Sequence, residues 1–170
     1  MKKIIFILLL AFVSNVGMGQ ENYSVPKDYK FSKAADYKTY EPKVKETIEW
    51  LLTTSMSKDP IKRQNANKFL MAWLTGTPDV SINIQPDVVN FLEKNGELLI
   101  PFMGGWVKYS LRNNYSKDIL QGNKAGIEAM VDFYNKNRSF LQKDKNVEKY
   151  EKLIEKKELE RYLDKIINKE

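Results

Sequence analysis

The chain has no cysteine and no histidine among its 170 residues. The first absence excludes disulfides, thiol nucleophiles and cysteine-ligated metals. The second removes the imidazole base, and with it every Ser-His-Asp or Cys-His nucleophile system and the ordinary zinc sites. General acid–base work would fall to carboxylates, tyrosine or lysine. No GxGxxG, P-loop or EF-hand spacing is present. Beyond residue 13 there is no long apolar run, and the charges are interspersed rather than blocked, so nothing reads as a nucleic-acid-binding tail.

What is present begins with MKKIIFILLLAFVSNVGMGQ. Lys2 and Lys3 make a positive start, Ile4–Val13 is unbroken apolar sequence, and Gly17 and Gly19 are small residues before a cleavage point. The pattern predicts a signal peptide over residues 1–19, cut between Gly19 and Gln20, and hence a periplasmic or secreted protein. The apolar run is about half of the roughly 20 residues a membrane-spanning helix needs, so no transmembrane segment is expected in the mature chain. With no cysteine after the run, lipid attachment of the bacterial lipoprotein kind is excluded. The predicted mature chain of 151 residues suits one domain, and without Lys2 and Lys3 it carries 26 cationic and 22 acidic side chains, a net +4.

Residues 20–40 are polar and tyrosine-rich without a sustained period, which predicts an N-terminal arm, partly docked through its aromatics and partly disordered near the cut. A helical domain over 41–170 follows. Pro42 suits the first position of a helix running to about Thr54. Asp59-Pro60 starts a second, with Ala66, Phe69, Leu70 and Trp73 as its stripe and Gly76 as its stop. Residues 77–85 read as an extended connector, and Pro86-Asp87 restarts a short helix ending at Asn95-Gly96. A helix over Gly122–Asn137 carries Ile127, Met130, Val131 and Tyr134, after a short turn capped by Ser116. The stripes Val147, Tyr150, Ile154 and Leu159, Tyr162, Leu163, Ile166, Ile167 are rotated by about 120° from one another. A break near Lys156-Lys157 is therefore expected, and a proline at Lys157 should be mild there. The fold class is all-α: a single compact bundle of about six to seven short helices.

The chain is organised around Glu97–Tyr115, ELLIPFMGGWVKYSLRNNY. At 100° per residue, Leu99, Phe102, Met103, Trp106 and Ser110 share one arc, with Pro101 in the first turn. Gly104 and Gly105 point away from it, on the side of Lys108 and Arg112. Two helical glycines cost roughly 1 kcal/mol each relative to alanine, and a close crossing by the Gly122–Phe133 helix is the expected offset. The sharper alternative is an anion or ligand held against the glycine backbone by Lys108 and Arg112; as a separate reading, Tyr109 beside Trp106 offers a stacking surface for a sugar or an aromatic ligand. The candidate binding residues are thus Gly104, Gly105, Trp106, Lys108, Tyr109 and Arg112. No catalytic residue, metal site or cofactor is assigned.

The runs GGWVKYSLRNNYSKD, GNKAGIEAMVDFYNKN and KNVEKYEKLIEKKELERYL resemble small exported proteins of Gram-negative bacteria, over roughly residues 90–165. The resemblance implies a helical domain and export, and carries no activity or functional residue. The reading from the residues is a non-enzymatic exported protein that binds another protein or an anionic envelope component, with no nucleic-acid partner. Two alternatives stand beside it: a periplasmic holdase or inhibitor, and a carboxylate hydrolase of wall polymer using Glu128 and Asp132, an i,i+4 pair.

Overall fold

The computed structural model describes residues 23–168; the signal-peptide reading falls outside them. Six α-helices follow in order: α1 (Ala34–Thr53), α2 (Pro60–Leu74), α3 (Leu99–Arg112), α4 (Ile119–Lys136), α5 (Lys145–Glu155) and α6 (Leu159–Ile167). Three short 3-10 turns join them, and no strand occurs among the described residues. The fold is the expected all-helical bundle.

Helix α1 starts eight residues before Pro42, which lies inside it. The start is set by Asp36, whose carboxylate accepts the Ser32 and Lys33 backbone N–H groups at 2.9 and 3.1 Å. Those bonds satisfy donors that a helix start otherwise leaves open. An interior proline forfeits one helical bond. Aromatic packing on the added turns offsets this: Phe31 stacks on Tyr37 at 4.9 Å, and Tyr40 reaches Phe69 of α2 at 6.0 Å. The arm therefore ends near Lys33 rather than at residue 40. Its described part is docked, with Tyr23 buried and donating to Thr47 Oγ1 at 2.9 Å.

Helix α2 begins as expected, with the Asp59 carboxylate accepting from the Lys62 N–H at 3.0 Å and Pro60 at the first position. Its stripe of Ala66, Phe69, Leu70 and Trp73 is fully buried. The segment after Pro86 is shorter than expected, a 3-10 turn over Asn90–Glu93. Helix α4 begins at Ile119, three residues before the expected Gly122, because Asp118 and not Ser116 caps it, accepting from Gln121 N–H at 3.0 Å. The break between α5 and α6 lies where the stripe rotation puts it.

Helix α3 is the axis of the bundle, and its contact with α4 is the most extensive of the fold. One apolar cluster joins Phe102, Met103 and Trp106 to Ile127, Met130, Val147, Tyr150 and Leu163. A second joins Val107 to Ile48, Trp50, Leu51, Phe69 and Trp73. A central helix buried on both sides needs small residues where neighbours cross. Gly126 lies against Phe102 and Gly122 against Trp106. These pairings also show that α3 and α4 run antiparallel.

Candidate functional site

Where α1, α3 and α4 meet at the surface they leave an open groove of about 580 Å³. Gly105, Ala125 and Ala129 form its floor, because only small residues let α3 and α4 approach there. The walls carry Lys108 and Arg112 from α3, Glu49 from α1, and Glu128, Asp132 and Lys136 from α4. Three cations face three carboxylates, so the lining is mixed in sign and balanced in charge. The lining on α4, from Ala125 to Lys136, runs along about 16 Å of helix. Arg112 stands toward one end, and the antiparallel register sets Asp132 and Lys136 toward the other.

Of the six residues proposed from sequence, the structure brings Gly105, Lys108, Tyr109 and Arg112 to this groove. Gly104 and Trp106 are not in it. Gly104 faces α1, 3.2 Å from Ile48 Cγ2 when a Cβ is built on it, and Trp106 is buried against Gly122. Neither offers a surface to a ligand, which corrects the stacking role expected of Trp106. Nor is the backbone at Gly105 bare, since the Ala125 carbonyl and Ala129 methyl cover it. The expected close crossing therefore occupies the space that an anion over the glycines would need.

The charges divide into engaged and free. Lys108 Nζ is bound to Glu49 Oε2 at 2.6 Å, and Tyr109 shares a 3.3 Å hydrogen bond with Ser116 Oγ. The charged side chains of Arg112, Lys136, Glu128 and Asp132 make no hydrogen bond or ion pair among the described residues. The Glu128 carboxyl is held above the ordinary carboxylate range by partial burial, which outweighs nearby Lys124; the charges of Asp132 and Glu160 push the same way. Glu49, Leu52 and Thr53 were missing from the sequence reading. Their place in the groove depends on how α1 crosses α3, which no local spacing encodes. Among the described residues no group of acidic side chains gathers in a way that could hold a metal ion, and no helix is long and apolar enough to cross a membrane. The chain matches no protein-family model, no curated protein and no solved structure.

Proposed function

We propose that the chain is an exported, non-enzymatic protein that binds an extended stretch of another polypeptide in the α1–α3–α4 groove. The observation that carries this reading is the free charges of both signs spread along an elongated groove with a small-residue floor. A length of about 16 Å accepts roughly five residues of extended chain at about 3.3 Å each. The free Arg112 suits a carboxylate in its bidentate fork, while Glu128 and Asp132 suit a lysine or arginine. A wholly anionic partner is disfavoured here, since Lys108 is already bound to Glu49. The test is recovery of partners from the protein's own envelope fraction, with species identified by mass. Arg112→Glu with Asp132→Lys should lose the partners that wild type retains while melting normally. Unchanged recovery would sink the reading.

One observation favours the hydrolase as a second reading: the raised Glu128 carboxyl beside Asp132 is the arrangement an acid catalyst needs. Asp132 is exposed, however, and Glu128 is only partly covered by the groove, so solvent weakens such coupling. An acid raised in the folded state makes ionisation costly there. Its stability contribution is complete below the ordinary carboxyl value and is lost as pH climbs through the raised one. Glu128→Gln should therefore raise the melting temperature at pH 7, with the gain vanishing in acid. Loss of a wall-polymer cleaving activity in the same variant would favour the hydrolase over the binding protein.

A further inference from the structure

Away from the α1–α3–α4 groove, the exposed side of α5 carries a second concavity. It is an open groove of about 420 Å³ lined by Lys145, Glu148, Lys149, Lys152, Leu153, Lys156 and Glu158. The four lysines fall at i, i+4, i+7 and i+11, which at 100° per residue places them within about 60° of arc. Along the axis they span about 16 Å at 1.5 Å per residue. We propose that this groove binds a linear, phosphate-bearing polyanion, with Lys145, Lys149, Lys152 and Lys156 taking successive anionic groups.

The charge count decides for an anion. Both acids that line the groove are already engaged by cations outside its lining: Glu148 with Lys143 at 3.5 Å, and Glu158 with Arg161 at 2.8 Å. Lys149 has no carboxylate partner; its ammonium lies 4.1 Å above the Tyr162 ring and donates to the Tyr162 hydroxyl at 2.6 Å. The ammonium groups of Lys145, Lys152 and Lys156 make no hydrogen bond or ion pair among the described residues. A solvated helix face ordinarily alternates Glu and Lys at i,i+4, and like charges at that spacing destabilise the helix. Here Lys145–Lys149 and Lys152–Lys156 are such like pairs, and the one acid at the favourable spacing, Glu148 four residues before Lys152, is shared with Lys143. The acids Glu151 and Glu155 are rotated off the stripe, and Glu151 is bound to Arg138. An arriving anion relieves this repulsion, and a chain of anions relieves all of it.

Shape separates a polymer from a membrane. A bilayer surface meets projecting side chains and is held by exposed apolar anchors beside the basic ones. The large apolar side chains most exposed among the described residues are Ile61, Ile84, Ile119 and Phe140, none of them on α5. A groove instead admits a flexible chain along its length.

The test is titration of purified full-length protein with linear inorganic polyphosphate at several salt concentrations. Each phosphate contact to a flexible strand contributes a slope of about −0.7 in log affinity against log salt, so four lysines give roughly −3. Replacing Lys145, Lys152 and Lys156 together by glutamine should weaken binding at least tenfold and bring the slope to about −0.7. That variant should melt at or above wild type, because repulsion is removed and Lys149 still reaches Tyr162. A control with Lys30, Lys68 and Lys117 changed to glutamine has the same net charge and should bind as wild type does. Absence of binding by wild type, or equal loss in both triple variants, overturns the proposal. Tight binding to phosphatidylglycerol vesicles that polyphosphate fails to displace also overturns it, in favour of a membrane surface.

Discussion

Gly104 and Gly105 are neighbours in the chain but differ in what they permit. A Cβ built at Gly105 collides with the Ala125 carbonyl oxygen and lies 2.6 Å from Ala129 Cβ. The first obstacle is backbone and cannot swing aside. At Gly104 the nearest atom is the Ile48 Cγ2 methyl at 3.2 Å, which can yield by a few tenths of an ångström. Gly105→Ala should therefore destabilise by about 1–3 kcal/mol through overpacking, and Gly105→Leu by at least as much. Gly104→Ala should stay within about 1 kcal/mol of wild type, because the helix-propensity gain offsets the tighter fit. Lys108→Ala should also change little, since its bond to Glu49 is exposed and such pairs contribute about 0–1 kcal/mol. Thermal melts of the three alanine variants check the ranking. Equal losses at 104 and 105 would mean that α4 does not press on α3 where the structure has it.

At the scale of the element, Lys157 shows what a sequence pattern can and cannot resolve. The rotation between two apolar stripes locates the break after α5, because a continuous helix would bury charged residues. The geometry of the break is a different matter. Lys157 adopts φ 57°, its N–H donates to Ile154 O at 3.0 Å, and the Glu158 N–H donates to Leu153 O at 2.8 Å. This is a Schellman end, a position that usually holds glycine. With lysine there, no local signal marks it. The expectation of a mild Lys157→Pro is thus corrected: proline cannot reach a positive φ and would remove a bonded N–H. That variant should be strongly destabilised although the helices are separate. Lys157→Gly should instead stabilise by about 0.5–1 kcal/mol by removing the left-handed strain. A glycine variant less stable than wild type would count against the left-handed turn. Pro42 teaches the complementary lesson. Its preference for helix starts is real, but the Asp36 bonds and the aromatic cluster around Phe31 outweigh it.

For the molecule as a whole, the stripes on α2 and α4 are legible because burial on one side of a helix repeats every three or four residues, whereas α3, buried on both sides, is legible as the densest apolar stretch of the domain. The groove is half legible: its α3 wall can be read locally, whereas Glu49 enters through a crossing between distant segments. The same holds for the N-terminal arm, whose aromatics lack a period and acquire meaning only against α1 and α2. Tyr23 is buried 5.4 Å from Trp50, and Tyr29 meets Phe69 edge-on at 5.0 Å. A cut between Gly19 and Gln20 would leave Tyr23 in the chain, with three residues before it. If the chain is exported as proposed, its mass should correspond to a chain beginning at Gln20, and a mass including residues 1–19 would make that segment a retained anchor. If the arm folds with the domain, Tyr23→Ala should cost about 3 kcal/mol, in the range for truncating a buried aromatic. Tyr23→Phe should cost about 1 kcal/mol, for the lost bond to Thr47. The decisive reading is amide exchange across α1. Integral docking predicts faster exchange in both helices of the α1–α2 pair when Tyr23 is truncated, whereas an arm that opens on its own would leave those amides as protected as in wild type.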